Sequence, residues 1–236
     1  MRKPRIYIDT PLANQGLFEL DQRAFQHAVK VLRLREGDGI VLFDGSGQQY
    51  NASLSEVSKK HACVKTENAE PIDVESTLNI HLALGISKGE RMDFAIQKAV
   101  ELGVTAITPL YTDRCVVNLD NKREAKRLEH WRGVIISACE QCGRNRLPEL
   151  HQPVDIRKNF SLLPDYELKL TLSPYAEQSL KQVSAPAKEV MIMVGPEGGL
   201  SEQEIKTAIE NNFTAVRMGP RILRTETAAL TALSTI

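Results

Sequence analysis

Val190-Met-Ile-Met-Val-Gly-Pro-Glu-Gly-Gly-Leu-Ser201 reads as a strand, a loop and the opening of a helix in one short stretch. The apolar run Val190–Val194 suits a strand buried on both faces, as in the middle of a parallel sheet. It stops at Gly195. Ser201 is placed to cap a helix, and Glu204, three residues on, completes a capping box in which each side chain satisfies the other's backbone N–H. Between strand and cap, three glycines and a proline leave a loop with little side chain. Its backbone N–H and C=O groups can approach a flat ligand and read its edge. In open α/β sheets, ligands favour the crevice beyond the carboxyl ends of the strands. The loop is neither a Walker phosphate loop nor a dinucleotide fingerprint.

Two further segments share that character. Thr171-Leu-Ser-Pro174 ends a strand expected over 168–172. Met218-Gly-Pro-Arg-Ile-Leu-Arg-Thr-Glu-Thr227 breaks at Gly219-Pro220 and then opens a helix rich in alanine and leucine. Arg221 and Arg224 sit together at that turn. Two guanidinium groups beside a helix start suit a phosphate, a carboxylate or a polarised base. A structural ion pair with Glu197 or Glu226 is the plainer alternative.

Outward from these loops, strands alternate with helices. Residues 78–85 and 106–110 read as strands, and Met92, Ala95, Ile96, Ala99 and Val100 form one helical face between them. A long helix is expected from Lys122 to Cys142, with Leu128, Trp131, Ile135 and Ala138 on one side. A short helix is expected between the strands at 168–172 and 190–194. The alternation predicts an α/β domain with a mostly parallel sheet covered on both faces. Before it, the polar segment Glu70–Ser76 with Pro71 marks a boundary, giving domains 1–70 and 71–236. The first domain reads as short strands over 5–9, 39–44, 49–57 and 62–67, with a hairpin turn at Asp44-Gly-Ser-Gly47. One helix, Asp21 to Arg35, places Phe25, Ala28, Val29 and Leu32 on its apolar side. Short strands between glycine turns predict a compact β-barrel.

A chain of 236 residues with 42% hydrophobic and 25% charged residues buries an ordinary globular core. No apolar run reaches membrane-spanning length, so no membrane partner is expected. Met1-Arg-Lys-Pro4 leads directly into a strand without a signal-peptide core, which predicts a cytoplasmic protein. Thirty basic and thirty acidic residues cancel, but residues 1–35 hold seven basic against three acidic ones. That local excess can seat phosphates while the whole chain stays neutral. Among four cysteines, the pair Cys139-Glu-Gln-Cys142 invites a zinc or redox reading. No second pair exists and Cys139 falls on the apolar stripe of its helix, so no metal is expected.

Leu172-Ser-Pro174, then Gly195-Pro-Glu-Gly-Gly-Leu-Ser201, then Met218-Gly-Pro-Arg-Ile-Leu-Arg-Thr-Glu-Thr-Ala228, in that order, resemble the knotted SPOUT methyltransferases. Within them the chain resembles the RsmE family, the 16S rRNA uridine-N3 methyltransferases. His27-Ala-Val-Lys-Val-Leu-Arg33, the stretch Lys88–Gly103, and Glu140-Gln-Cys-Gly-Arg-Asn-Arg-Leu-Pro148 agree with the same family. The resemblance implies an N-terminal PUA-like β-barrel and a C-terminal SPOUT α/β domain with a deep trefoil knot. It also implies a homodimer acting on 16S rRNA within the small ribosomal subunit, with S-adenosyl-L-methionine as cofactor. Family members carry a short tail beyond the helix in which this chain stops, so a natural protein extending past Ile236 is expected.

The resemblance further implies a cofactor pocket at Leu172, Gly195, Pro196, Glu197, Gly199, Met218, Gly219, Leu223 and Thr225. A uracil N3 must lose its imide proton before it can attack, so a base or an anion-stabilising cation is needed. Arg224 is the candidate for the cation, with Glu197 beside it as a second catalytic candidate. Glu197, Glu226 and His27 stay open as the proton acceptor. RNA contact is expected at Arg5, His27, Lys30, Arg33 and Arg35 in the first domain, and at Lys88, Arg144 and Arg146. Two rivals stand against this reading. A non-catalytic PUA-like RNA-binding protein would not need three such loops, and a nucleotide hydrolase would need a metal-binding Asp and a phosphate lysine near the glycine loop.

Overall fold

The computed structural model describes residues 3–115, 121–183 and 188–236. The chain forms two compact units, Met1–Glu75 with Ile136–Leu147, and Ser76–Ile135 with Pro148–Ile236.

The first unit contains β1 (Arg5–Tyr7), β2 (Leu17–Glu19), α1 (Gln22–Phe25), β3 (Gly39–Phe43), β4 (Gln48–Val57) and β5 (Ala62–Pro71). They form a five-stranded sheet in the order β1-β3-β4-β5-β2, with β1 parallel to β3 and the other pairs antiparallel. The hairpin expected at Asp44–Gly47 joins β3 to β4, pairing Phe43 with Gln49. Alternate residues Tyr50, Ala52 and Leu54 of β4 point into a core shared with Ile6, Ile40, Leu42 and Val64. β5 runs past the expected end to Pro71, which pairs with Gln48 at the sheet's limit, where a missing N–H costs little.

The helix expected from Asp21 to Arg35 is shorter and less regular. Asp21 caps it, accepting the Ala24 N–H at 2.8 Å, but after α1 the chain widens into a π-helical turn over Gln26–Val31. Leu32 N–H donates to the His27 carbonyl, five residues back, and Arg33 then adopts a left-handed φ of 58°. The wider turn breaks the 3.6-residue phase. Ala28 therefore stays fully buried while Leu32, expected on the apolar face, is exposed.

The second unit contains β6 (Asn79–Gly85), α2 (Glu90–Glu101), β7 (Ala106–Tyr111), β8 (Glu149–Leu150), β9 (Val154–Asp155), β10 (Leu168–Leu172), β11 (Glu189–Val194), α4 (Glu202–Glu210), β12 (Thr214–Val216) and α5 (Thr225–Thr235). Helix α3 (Asn121–Cys142) begins here and ends in the first unit. All strand pairs are parallel, in the order β12-β10-β11-β6-β7-β8, with β9 also on β7. Every residue of β11 from Val190 to Val194 is buried, as a central parallel strand requires. Met191 and Met193 pack with Ala208 of α4 and Phe213, while α5 packs on β6, β11 and α2. The α2 face reads as expected: Met92, Ala95, Ile96, Ala99 and Val100 are all buried. Trp131, Ile135 and Ala138 of α3 are buried too. Where a short helix was expected between β10 and β11, the described residues hold only a 3-10 turn at Leu180–Gln182. No helix among the described residues is long and apolar enough to cross a membrane.

Candidate functional site

β12, β10 and β11 are adjacent and parallel, so their carboxyl ends lie on one side of the sheet. The three loops that leave those ends converge on a single cleft of about 320 Å³. Its walls include Leu172–Tyr175 after β10, Val194–Leu200 after β11, and Val216, Met218, Arg221–Leu223 and Thr225 after β12. A space of that size, with apolar side chains and exposed backbone together, suits a small organic ligand.

The glycine loop owes its path to missing side chains and to a staple. A Cβ on Gly195 would lie 2.6 Å from the Leu200 nitrogen and 2.7 Å from the Gly199 carbonyl carbon, so the loop folds onto itself only with glycine there. Gly199 has a φ of +71°, and no protein atom lies within 4 Å of its absent Cβ. Glu204 is buried and holds both ends of the arrangement. One carboxylate oxygen accepts the Ser201 N–H at 2.7 Å, and the other accepts the Asp113 N–H at 2.8 Å, just beyond β7. Asp113 in turn accepts the Ser201 hydroxyl at 2.7 Å, and Arg114 donates to the Gly198 carbonyl at 2.9 Å. The capping box read from Ser201 and Glu204 is present, and its glutamate also ties the loop to the end of β7, two strands away from β11 in the sheet. Arg114 lines the cleft and has no local sequence signal beyond its place after a strand.

Of the residues expected around a cofactor, Leu172, Gly195, Pro196, Glu197, Gly199, Met218, Leu223 and Thr225 all line this cleft. Gly219 is next to Met218 with a φ of +149° but is not part of the wall. Neither is Arg224, which is exposed at the N-cap of α5; Arg221 lines the cleft in its stead. The ion pair considered between these arginines and Glu197 does not form. Glu197 instead accepts the Lys88 N–H at 2.9 Å and an Arg91 guanidinium N–H at 3.4 Å. Glu226 carries a buried carboxylate oxygen without a hydrogen-bond partner.

The residues expected to touch RNA divide sharply. Arg5 is buried: it donates to Gln49 at 2.6 Å and to Asn145 at 2.5 Å, and lies over the Phe43 ring. Arg144 is buried against Glu75. These two are corrections to the expected RNA face, because their guanidinium groups are consumed by internal partners that a buried cation requires. His27 lies with its Nδ1 3.1 Å from the buried Glu140, whose other oxygen takes Arg23 and the Tyr7 N–H at 3.0 Å each. Lys30, Arg33, Arg35, Lys88 and Arg146 are exposed. Cys139 is buried, and burial pushes its thiol up to about 12, which leaves it protonated and inert. Among the described residues, no cluster of His, Cys, Asp or Glu side chains is arranged to hold a metal ion.

Comparison with known proteins extends the geometry. Residues 74–236 match the RNA methyltransferase domain family and residues 20–67 match the RNA methyltransferase PUA domain. Ribosomal RNA small subunit methyltransferase E of Buchnera aphidicola is 35% identical over all of this chain and 96% of its own. That of Bacillus subtilis is 34% identical over 93% of this chain and 89% of its own. Among solved structures, the Neisseria gonorrhoeae methyltransferase E bound to S-adenosyl methionine superposes with a TM-score of 0.94 at 42% identity, covering 99% of this chain and 96% of that one. A Legionella pneumophila protein solved in complex with bound SAM gives a TM-score of 0.96 at 42% identity, over 100% and 97% of the two chains. With both domain families matched and relatives aligned from end to end, this chain belongs to the RsmE family of ribosomal RNA small subunit methyltransferases.

Proposed function

We propose that this protein transfers a methyl group from S-adenosylmethionine to N3 of a uridine in 16S rRNA. The observation that carries the reading is the convergence of three strand-end loops on one cleft, in a chain of this family. The residues present fit the cofactor. Gly199 leaves open space where a side chain would stand, and Leu172, Val194, Val216, Met218 and Leu223 offer apolar cover for a flat adenine. Leu172, Gly195, Pro196, Glu197, Gly199, Met218, Leu223 and Thr225 would hold it, with Gly219 shaping the third loop. When bound, the cofactor supplies a methyl on a cationic sulfur, so the protein's task is position rather than difficult chemistry.

The acceptor imposes the harder demand. A neutral imide nitrogen is a poor nucleophile, and a nearby cation lowers the energy of the anion formed when its proton leaves. Arg224 is our candidate for that role. Arg221, in the cleft wall, is its positional rival, and single substitutions of each separate them. Lys30, Arg33 and Arg35, exposed on one short segment of the PUA-like unit, would hold RNA phosphates, with Arg146 and Lys88 as further contacts. We place the protein in the cytoplasm, as a homodimer acting on the small ribosomal subunit. The test is methyl transfer to in-vitro-transcribed 16S RNA and to subunits assembled from it. A methyl on N3 blocks Watson–Crick pairing, so reverse transcription stops at the modified base. Absence of any new stop with either substrate would refute the proposal, and a monomer by light scattering would refute the dimer.

A further inference from the structure

Several large apolar side chains of the described residues are exposed, yet only two of them also line the cleft: Tyr175, 82% exposed, and Ile222, 73% exposed. They leave two different loops, after the neighbouring strands β10 and β12, and so flank the cleft mouth. An exposed tyrosine on a loose loop would mean little. Here the backbone around it is pinned. Tyr175 N–H donates to the Ser173 hydroxyl at 3.4 Å, and Ala176 N–H to the Ser173 carbonyl at 3.3 Å. The Arg217 guanidinium then donates to the Ala176 carbonyl at 2.8 Å and to the Glu177 carbonyl. A solvent-exposed ring on a braced backbone is a stacking surface whose attachment is already ordered. Two cations, Arg114 and Arg221, line the same cleft.

We infer that Tyr175 and Ile222 form the seat of the acceptor base, gripping an unstacked pyrimidine of the RNA at the cleft mouth. The inference rests on the methyltransferase reading and adds to it a positioning subsite. N3 lies on the pairing edge and is reachable only when the base is unpaired or drawn from its stack, and an aromatic face replaces part of any stacking lost. The guanidinium groups of Arg114 and Arg221 complement the charge of the phosphate that travels with the base. Neither side chain contributes a proton or a bond to the reaction.

The experiment measures KM and kcat for 16S transcript or assembled subunit, and cofactor affinity by calorimetry, in Tyr175→Ala, Tyr175→Phe and Ile222→Ser. Tyr175→Ala is expected to raise KM for RNA about fivefold or more, the usual worth of one stacked base. Its affinity for S-adenosylmethionine should be unchanged. Tyr175→Phe, which keeps the ring, should restore KM, and Ile222→Ser should act in the same direction as Tyr175→Ala but less. An unchanged KM in Tyr175→Ala overturns the inference. So does a parallel loss of cofactor affinity, which would give the ring to the methyl donor. A loss of self-association by light scattering would give it to a second copy of the chain and overturn it equally. If the wild type methylates neither substrate, both this inference and the proposed function fail; if the wild type methylates and Tyr175→Ala is indifferent, only this inference does.

Discussion

The loop Gly195–Ser201 offers the cleft backbone and very little side chain, while the segment from Lys30 to Arg35 offers three long cationic side chains held in solvent. The first is fixed by contacts within a few ångströms: glycine packed on glycine, a capping box, and a buried glutamate reaching the end of β7. The second stands on a π-helical turn followed by a non-glycine residue at positive φ, a conformation that costs about 1 kcal/mol or more. A site made of backbone is damaged by adding atoms and is indifferent to salt. One made of exposed charges is damaged by removing them and weakens as salt rises. The same molecule thus separates recognition of a small, shaped ligand from attachment to a polyanion.

The sharpest way to break that contrast is Arg224→Ala. If Arg224, set between the cleft-lining Leu223 and Thr225, stabilises the uracil anion, kcat should fall about 100-fold or more, the usual loss when a charge-stabilising group is removed. RNA affinity and cofactor affinity should stay near wild type. A normal reverse-transcription stop in this variant would remove Arg224 from the mechanism.

Gly195→Val addresses the backbone itself. Its side chain would meet the Leu200 and Gly199 backbone, and overpacking of that kind costs about 3 kcal/mol of stability unless the loop shifts, so the loop should open and S-adenosylmethionine affinity should fall. Gly199→Val is milder for the loop itself, because its Cβ meets no protein atom and the positive φ costs about 1–2 kcal/mol, but its side chain enters the space assigned to the cofactor. Calorimetry that ranks the two in reverse would show that ligand space, not loop closure, dominates at this site.

The two units also differ in how they bury polar groups, and acid should separate them. In the first, Glu140 is met by Arg23, His27 and the Tyr7 N–H. In the second, His81 is fully buried between the Thr108 hydroxyl at 2.7 Å and the Tyr166 hydroxyl at 3.2 Å, with His151 stacked beside it. Burial, and then the neighbouring His151, lower the His81 pKa from 6.5 to about 4. The unfolded chain therefore takes a proton near pH 6.5 that the folded chain refuses until about pH 4. Stability fully present above pH 6.5 is lost as pH falls through that window, by roughly 3 kcal/mol in all. Urea midpoints at pH 7 and pH 4.5 should show the slope in the wild type and a flatter one in His81→Gln. Equal slopes would place the acid sensitivity elsewhere.

The smallest effect belongs to the exposed charges. Arg33→Ala with Arg35→Ala should weaken RNA binding by about 1 kcal/mol at moderate salt and lower the salt slope by about two. Cofactor affinity should not change. A normal stop at low RNA concentration would mean that this segment is not the clamp.

The residues differ in how far their roles could be read from the chain alone, and the reason lies in the range of the forces involved. Periodicity and capping act within a turn or two, so the buried face of α2, the buried face of α3 and the Ser201–Glu204 box are all written in adjacent residues. The three loops after β10, β11 and β12 were legible for the same reason, since glycine, proline and cap residues mark where a strand must end. That they meet in one cleft depends on the strand order β12-β10-β11, which no local signal carries. The π-helical turn carries no local signal either: Phe25, Ala28, Val29 and Leu32 share a helical spacing, yet Leu32 is exposed where the wider turn shifts the phase. The arginines make the limit plainest. By sequence, Arg5 and Arg33 are equally basic residues of one local excess. Arg5 is buried because Asn145, 140 residues away, meets its guanidinium, whereas Arg33 is left in solvent. Composition determined that the amino-terminal segment is cationic. Which of those cations remain available to a partner was decided only when the chain brought distant polar groups together, because a charge is buried only where such groups await it.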